Sequence, residues 1–562
     1  MSQIRAIVIT LVLLSCITGN DLLSETVVKE WEVFEIEMTA QNKYGNPYVD
    51  CLPDEGNSLV KVTFTGISGK AEGHNYTLCG FWDGGNSWKV RFAPPVSGEW
   101  SYSSISRDPG LNGLKGSIVC SEWTETEKEA NPARRGFVRV CKTGNNPGRY
   151  FEYADGTPFL WIGDTWWRWT KRGIYFSSFQ ELVDDREEKG FTIGQMFIAG
   201  KGREKEYTLL DETFTILDID LIRKVDSMIE YANSKGITIW VQGWWGGADI
   251  NKSIGEENMR RWCRYLIHRL GAYNVIWVIA GEYNMYDYGS MELQFWKDIG
   301  SLIDNEDPYE RIISAHPTPP FWGGGADAPQ WATGEILHNE PWLDYNQSQV
   351  GHGKYANEMI PSVVSSEYNK VPAKPIVVTE PWYEFISDNP SAEDIRFGGW
   401  SAILCGAAGH SYGGGFVWRA NVPESPERSS STWPMEQGFQ TNTLDYPGAV
   451  SMGHLAKFFK RIDWWELTPH PESVLDYPEK YCRASPGKEY IVYLRWGGSI
   501  RIDLNPSSPD DAFELTWFDP RTGMNHTADT VYGGKIQWLN APERYPGHPH
   551  YKDWILYLRR KN

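Results

Sequence analysis

The chain has 562 residues, room for roughly three to four domains at about 150 residues each and for more than one buried core. With 23% charged and 41% hydrophobic residues it is neither a disordered nor a collagen-like chain, and a net charge of −19 (54 Lys and Arg against 73 Asp and Glu) argues against a nucleic-acid partner. The 28 Trp and 29 Tyr suit stacking on the apolar faces of sugars, and equally suit large aromatic cores.

Residues 1–20 read as an export signal: Arg5 precedes an apolar stretch from Ala6 to Leu14 that is too short to span a bilayer. Leu13-Leu14-Ser15-Cys16 is similar to a bacterial lipobox, which makes Cys16 a candidate lipidation site. The expected location is therefore periplasmic, outer-membrane lipid-anchored or secreted. Apart from Cys16, 8 − 1 = 7 cysteines remain, an odd number that cannot all pair. No C-x-x-C or H-E-x-x-H spacing is present, so no metal and no cofactor is expected.

Residues 25–132 alternate at period two, as in Trp31-Glu32-Val33-Phe34-Glu35 and Trp88-Lys89-Val90-Arg91-Phe92, with Gly-rich turns such as Asp83-Gly84-Gly85-Asn86 between the runs. This predicts an N-terminal β-sandwich. Residues 135–467 alternate strand and helix. The apolar runs are Phe159–Gly163, Phe191–Phe197, Ile237–Val241, Val275–Ile279, Arg311–Ser314, a weaker sixth near Trp342–Gln347, Pro375–Thr379 and Phe416–Trp418. Helical stripes lie between them, as in Leu221, Ile222, Val225, Met228, Ile229 and Ala232. Eight such units predict a (β/α)8 TIM barrel. Residues 471–562 return to strands, notably Tyr490–Leu494 and Trp554–Leu558, and predict a C-terminal β-sandwich.

In such a barrel the working residues sit at the C-terminal strand ends. Two carboxylates occupy those positions: Glu282 after strand four and Glu380 after strand seven. Glycoside hydrolysis needs such a pair, one as proton donor and one as nucleophile or base. The candidate substrate contacts at the other strand ends are Asp164, Trp166, Trp167, Gln195, Gln242, Trp244, Trp245, Asn284, His316, Tyr345, Gln347, Trp382, His410, Tyr412 and Trp418. Two basic loops, Arg168/Lys171/Arg172 and Lys201/Arg203/Lys205, adjoin this face and raise the prospect of an acidic glycan, against the simpler reading of solvated charge.

The arrangement resembles bacterial proteins of the apiosidase-like family, in some of which a β-sandwich precedes the catalytic barrel, although the apiose-cleaving members typically lack it, and in which a collagen-binding-like β-sandwich often follows. The resemblance is carried by Gly80-Phe81-Trp82-Asp83-Gly84 and Gly98-Glu99-Trp100 in the first module and by Phe159-Leu160-Trp161-Ile162-Gly163-Asp164-Thr165-Trp166-Trp167 and Thr379-Glu380-Pro381-Trp382-Tyr383-Glu384 in the barrel. Trp517-Phe518-Asp519-Pro520-Arg521-Thr522-Gly523 carries it in the last module. It implies a glycoside hydrolase with catalytic carboxylates at Glu282 and Glu380. The apiose-cleaving members carry an aspartate at the strand-four position, where this chain has Glu282, one methylene longer.

Two other readings compete. Gly409-His410-Ser411-Tyr412-Gly413 fits the G-x-S-x-G elbow of a serine esterase with Ser411 as nucleophile, although no helix is predicted to follow it. A non-catalytic carbohydrate- or matrix-binding protein is the other, and it gives no reason for both carboxylates to be present.

Overall fold

The computed structural model describes residues 26–51, 58–200, 208–246, 251–285, 291–320, 331–386, 389–420, 443–527, 529–542 and 552–561. The signal segment with Cys16 and the loop carrying Lys201, Arg203 and Lys205 lie outside the described residues.

At the centre stand eight parallel strands, labelled in chain order: β1 Trp161–Trp166, β2 Ile193–Phe197, β3 Thr238–Gln242, β4 Val275–Val278, β5 Ile313–Ser314, β6 Asn346–Gln349, β7 Ile376–Glu380 and β8 Gly409–Tyr412. Ladders join β5-β4-β3-β2-β1-β8-β7-β6 in that order. The seam between β5 and β6 is stitched by single bonds instead: Asp344 N–H donates to the Ile313 carbonyl (2.9 Å), Ile313 N–H donates to Asp344 Oδ2 (2.8 Å), and Ser314 Oγ donates to the Tyr345 carbonyl (2.7 Å). The ring is thus a nearly closed TIM-type barrel. Every strand residue is buried, the pattern of parallel strands covered on both faces. Trp161, Trp240, Ile276, Tyr345 and Val377 fill the interior. Met196, Ile239 and Val241, on the opposite parity, pack outward under the helices.

The helical layer comprises α1 Phe176–Lys189, α2 Ile219–Ser234, α3 Glu256–Leu270, α4 Leu293–Glu306, α5 Ile360–Tyr368, α6 Ala392–Leu404 and α7 Pro447–Phe459. Two expectations change. The eighth strand is Gly409–Tyr412, whereas Phe416–Trp418 forms turns. The sixth strand is Asn346–Gln349 and starts later than the expected Trp342; before it the described residues hold the 3-10 turn Thr333–Glu335.

The N-terminal module packs a five-stranded sheet on a three-stranded one around Trp88, Val90, Phe64 and Trp100. The C-terminal module is a seven-stranded sheet with a two-stranded one, Ser499–Asp503 and Ile536–Asn540. Both dock on the helical layer. Arg91 of the first module reaches Asp226 on α2 (2.8 Å), and its Asp83 reaches Arg269 on α3 (2.9 Å). Arg396 on α6 pairs with Asp553 of the last module (2.7 Å), beside a shared aromatic core of Trp400, Phe458 and Phe518. Among the described residues, Cys51, Cys120, Cys141, Cys263, Cys405 and Cys482 carry free thiols.

Candidate active site

Glu380 is the last residue of β7, and its ladder partner is Gln349, the last residue of β6. Glu282 stands in the turn after β4. The two acids are joined through the residue between them: Gln349 Nε2 donates to Glu282 Oε1 (3.0 Å), while its backbone lies beside Glu380. Trp245 Nε1 donates to the other oxygen of Glu282 (2.8 Å). Trp245 is held there because the β3–β4 pairing runs on past the strand ends as a Trp245–Gly281 bridge. Gly246 N–H donates to the Gly281 carbonyl (2.6 Å), and a Cβ on Gly246 would stand 2.4 Å from the Glu282 carbonyl oxygen.

Glu380 is gripped by two histidines. His316 Nε2 lies 2.8 Å from Oε2 and His352 Nε2 lies 3.1 Å from Oε1, and an ionised carboxylate can only accept, so both histidines donate. Thr379 Oγ1 at 3.1 Å and Gln347 Oε1 at 3.3 Å hold the other ring nitrogen of His316. Trp167 roofs the group, its ring 5.9 Å from His316 and 6.1 Å from Trp245, with its N–H donating to the Tyr383 hydroxyl (3.2 Å).

These surroundings drive the two acids apart. Burial, reinforced by the charge of Glu380, lifts Glu282 to about 7. Burial would lift Glu380 as well, but the hydrogen bonds and charge of His316 and His352 outweigh it and hold Glu380 at about 2. Near neutrality one carboxyl can carry a proton while its neighbour is ionised. Burial, and then the Glu380 charge, push the Tyr383 phenol well above its usual range, leaving a neutral hydroxyl beside the ionised acid.

Of the residues expected at the strand ends, Trp167, Trp245, His316 and Gln347 join Glu282 and Glu380 in this cluster. Gln242 lies directly beneath Gly281: a Cβ there would come within 2.4 Å of the Gln242 amide, whose two polar atoms have no partner among the described residues. Gln195, deeper in the barrel, is likewise buried with both amide atoms unpartnered. Trp418 packs against the inner cluster with Arg168 and Arg419 over its ring (5.2 and 4.5 Å). Asn284 accepts from Thr318 N–H (2.7 Å) and so ties two loops of the mouth together.

The rest lie elsewhere. Asp164 faces the helices, where it pairs with Arg186 (2.6 Å) and accepts from Trp166 Nε1 (3.0 Å). Trp166 packs on Phe179 of α1, and Trp244 donates to the Met259 carbonyl of α3 (3.2 Å). Tyr345 belongs to the interior, accepting from Trp240 (3.2 Å). His410, Tyr412 and Trp382 line a small void between β8 and α6. Ser411 is fully buried within β8 and accepts from Trp161 Nε1 (3.0 Å), so it makes no exposed nucleophile elbow. Among the basic residues, Arg172 is taken up by Asp218 (2.6 Å). The sequence reading missed Gln349, His352 and Tyr383. Gln349 continues the inward parity of Tyr345 and Gln347, a signal that was available.

Known proteins share this architecture. Residues 145–466 match the family model described as "Apiosidase-like, catalytic domain". Residues 27–107 match a domain family of unknown function, DUF5060, and residues 472–559 a family described as "Putative collagen-binding domain of a collagenase". A solved structure described as a "putative glycoside hydrolase" from Bacteroides vulgatus ATCC 8482 is 17% identical, with 96% of this chain and 100% of that chain covered and a TM-score of 0.70. A glycoside hydrolase family 5 structure from the same organism is 19% identical, with 76% and 94% covered and a TM-score of 0.65. At such identities the likeness is one of fold. No curated protein matches the chain.

Proposed function

Because the chain belongs to the family of apiosidase-like catalytic domains and is a glycoside hydrolase, we propose that it cleaves a plant- or algal-type polysaccharide with retention of configuration, using Glu282 as acid and base and Glu380 as nucleophile. The observation that carries this reading is the divergence of the two neighbouring acids, Glu282 near 7 and Glu380 near 2.

In the first step a Glu380 oxygen attacks the anomeric carbon while the Glu282 proton passes to the departing glycosidic oxygen, breaking the C–O bond and leaving a glycosyl ester on Glu380. Esterification removes the charge on Glu380, which is the second cause of the raised Glu282. Glu282 therefore becomes more acidic once it has given up its proton and can take one from water, which releases the sugar and restores Glu380. Gln349 keeps Glu282 aimed at the bond that Glu380 attacks, and the Gln242 amide packs beneath Gly281, next to Glu282 in the chain. Trp167, Trp245 and Trp418 supply the aromatic walls. Export on the segment 1–20, with or without a lipid on Cys16, is consistent with a polymeric substrate outside the cell.

The test is a screen of plant and algal polysaccharides for released reducing ends, repeated with Glu380→Gln and Glu282→Gln. The first variant is expected to lose turnover with an unchanged circular dichroism spectrum, and the second to lose about 10²–10⁴-fold. A Glu380→Gln protein turning over at the wild-type rate refutes the assignment.

A further inference from the structure

A second recess lies away from the two acids, where the first module meets the barrel. It is a cleft of about 460 Å³ between the 40–47 loop, the 82–88 hairpin and the β2–α2 loop around Ile216. Its walls are fixed by bonds that cross the junction. Asn46 Nδ2 donates to the Thr215 carbonyl (2.8 Å), Tyr265 on α3 donates to the Trp82 carbonyl (3.0 Å), and Trp82 Nε1 donates to Gly85 within the hairpin (2.9 Å). The hairpin tip presses so closely on the barrel that a Cβ on Gly84 would meet Ile219 of α2 at 3.2 Å. The cleft is therefore preformed.

Its lining has the chemistry of a sugar site. Trp82 is partly exposed along one wall, and Tyr44 adds further aromatic surface. Trp88 is fully buried behind this wall in the core of the module, and its indole N–H has no hydrogen-bond partner among the described residues. Asn86 supplies an exposed amide, and among the described residues Lys43 is the one charged residue of the lining. An aromatic wall, neutral hydrogen-bonding groups and one cation fit a hydroxyl-rich, uncharged ligand better than an anion. The far wall is the loop that leaves the C-terminal end of β2, on the same barrel face as Glu282 and Glu380.

We infer that this cleft, walled by Tyr44 and Trp82 of the N-terminal module and by Ile216 of the barrel, is a non-catalytic subsite that holds an uncharged stretch of the polysaccharide while another part of the chain is cleaved in the barrel. The ligand class rests on the hydrolase reading, whereas the site rests on the cleft alone.

The test separates the two. Full-length protein is run by affinity electrophoresis through gels containing soluble arabinan, galactan, xyloglucan or glucomannan, alongside Trp82→Ala and Trp88→Phe. The second variant changes a buried ring behind the cleft and nothing exposed in it. The expected result is retardation of the wild type by at least one polymer, a loss of affinity of at least about fivefold for Trp82→Ala and wild-type retardation for Trp88→Phe. Hydrolysis of a di- or trisaccharide released in the screen stays unchanged in both. Wild-type affinity in Trp82→Ala, or no retardation of the wild type by any polymer, overturns the subsite. A polymer that binds through Trp82 but is never cleaved leaves the subsite standing and counts against the hydrolase mechanism instead.

Discussion

Glu282 sits at φ 47°, in the left-handed region that residues other than glycine rarely adopt. The conformation is held by the crossing of the β3 and β4 loops at Gly246 and Gly281, and it delivers the carboxyl to Trp245 and Gln349. The pH dependence follows from the same contacts. The first step needs Glu282 protonated, so kcat/KM falls about tenfold per pH unit above about 7, while the Glu380 limb lies near 2, below the working range. A pH–rate profile that keeps rising through pH 8 contradicts this. Glu282 and Glu380 were legible in the sequence because each follows a long apolar run. The paired tryptophans were harder. Trp166 and Trp167 are neighbours on one extended segment, as are Trp244 and Trp245, and successive side chains point to opposite faces. One of each pair faces the mouth and the other the helices; parity counted from Trp161 sorts the first pair, whereas Trp245 joins the mouth at an odd spacing from the inward-facing Trp240, so strict alternation misassigns the second pair.

The elements show where patterning fails. Strands β1 to β4 and β7 are apolar on both faces and read directly as runs. β8 is Gly-His-Ser-Tyr, a string that resembles a turn, yet each residue has a buried role: Ser411 accepts from Trp161, and Tyr412 donates to Glu384 (2.8 Å). A Cβ on Gly409 would meet Trp161 at 2.2 Å. Tertiary contacts made this strand, and propensity did not announce it. The β5–β6 seam is the other weak point, bridged by the Asp344 carboxyl rather than by a ladder. Burial raises Asp344 to about 6 in the folded chain, above its ordinary 3.8. The folded state then holds this proton more tightly than the unfolded one, so the Asp344 contribution is present below about 4 and is lost as pH rises through about 6. Asp344→Asn, which keeps an oxygen acceptor for Ile313 N–H, is expected to gain melting temperature relative to wild type between pH 4 and pH 7. An offset that does not change with pH contradicts the assignment.

At the scale of the whole molecule the three units are joined through buried ion pairs and aromatic packing. Arg91 is the hinge-pin of the first junction: its guanidinium meets Glu35, Asp226 and the Arg269 carbonyl, and its side chain is 5% exposed. Arg91→Ala leaves Asp226 with Arg269 alone, and a loss of about 3 kcal/mol is expected in urea unfolding followed by tryptophan fluorescence. A loss below about 1 kcal/mol would mean that the junction is held by other contacts. Period-two and strand–helix alternation made the order sandwich, barrel, sandwich legible, because each architecture imposes its own period. The junctions were not legible, since Arg91 and Asp226 are 135 positions apart and nothing local links them.

The central claim is that Glu380 attacks sugar carbon while Glu282 supplies the proton. It is tested most directly by incubating the full-length enzyme with an activated 2-deoxy-2-fluoro glycoside of the sugar it releases and mapping the adduct by peptide mass spectrometry. One fluoroglycosyl group esterified to Glu380, with activity lost in step, is the predicted result. An enzyme that hydrolyses its substrate with inversion, remains unlabelled, or carries the label on another residue contradicts it.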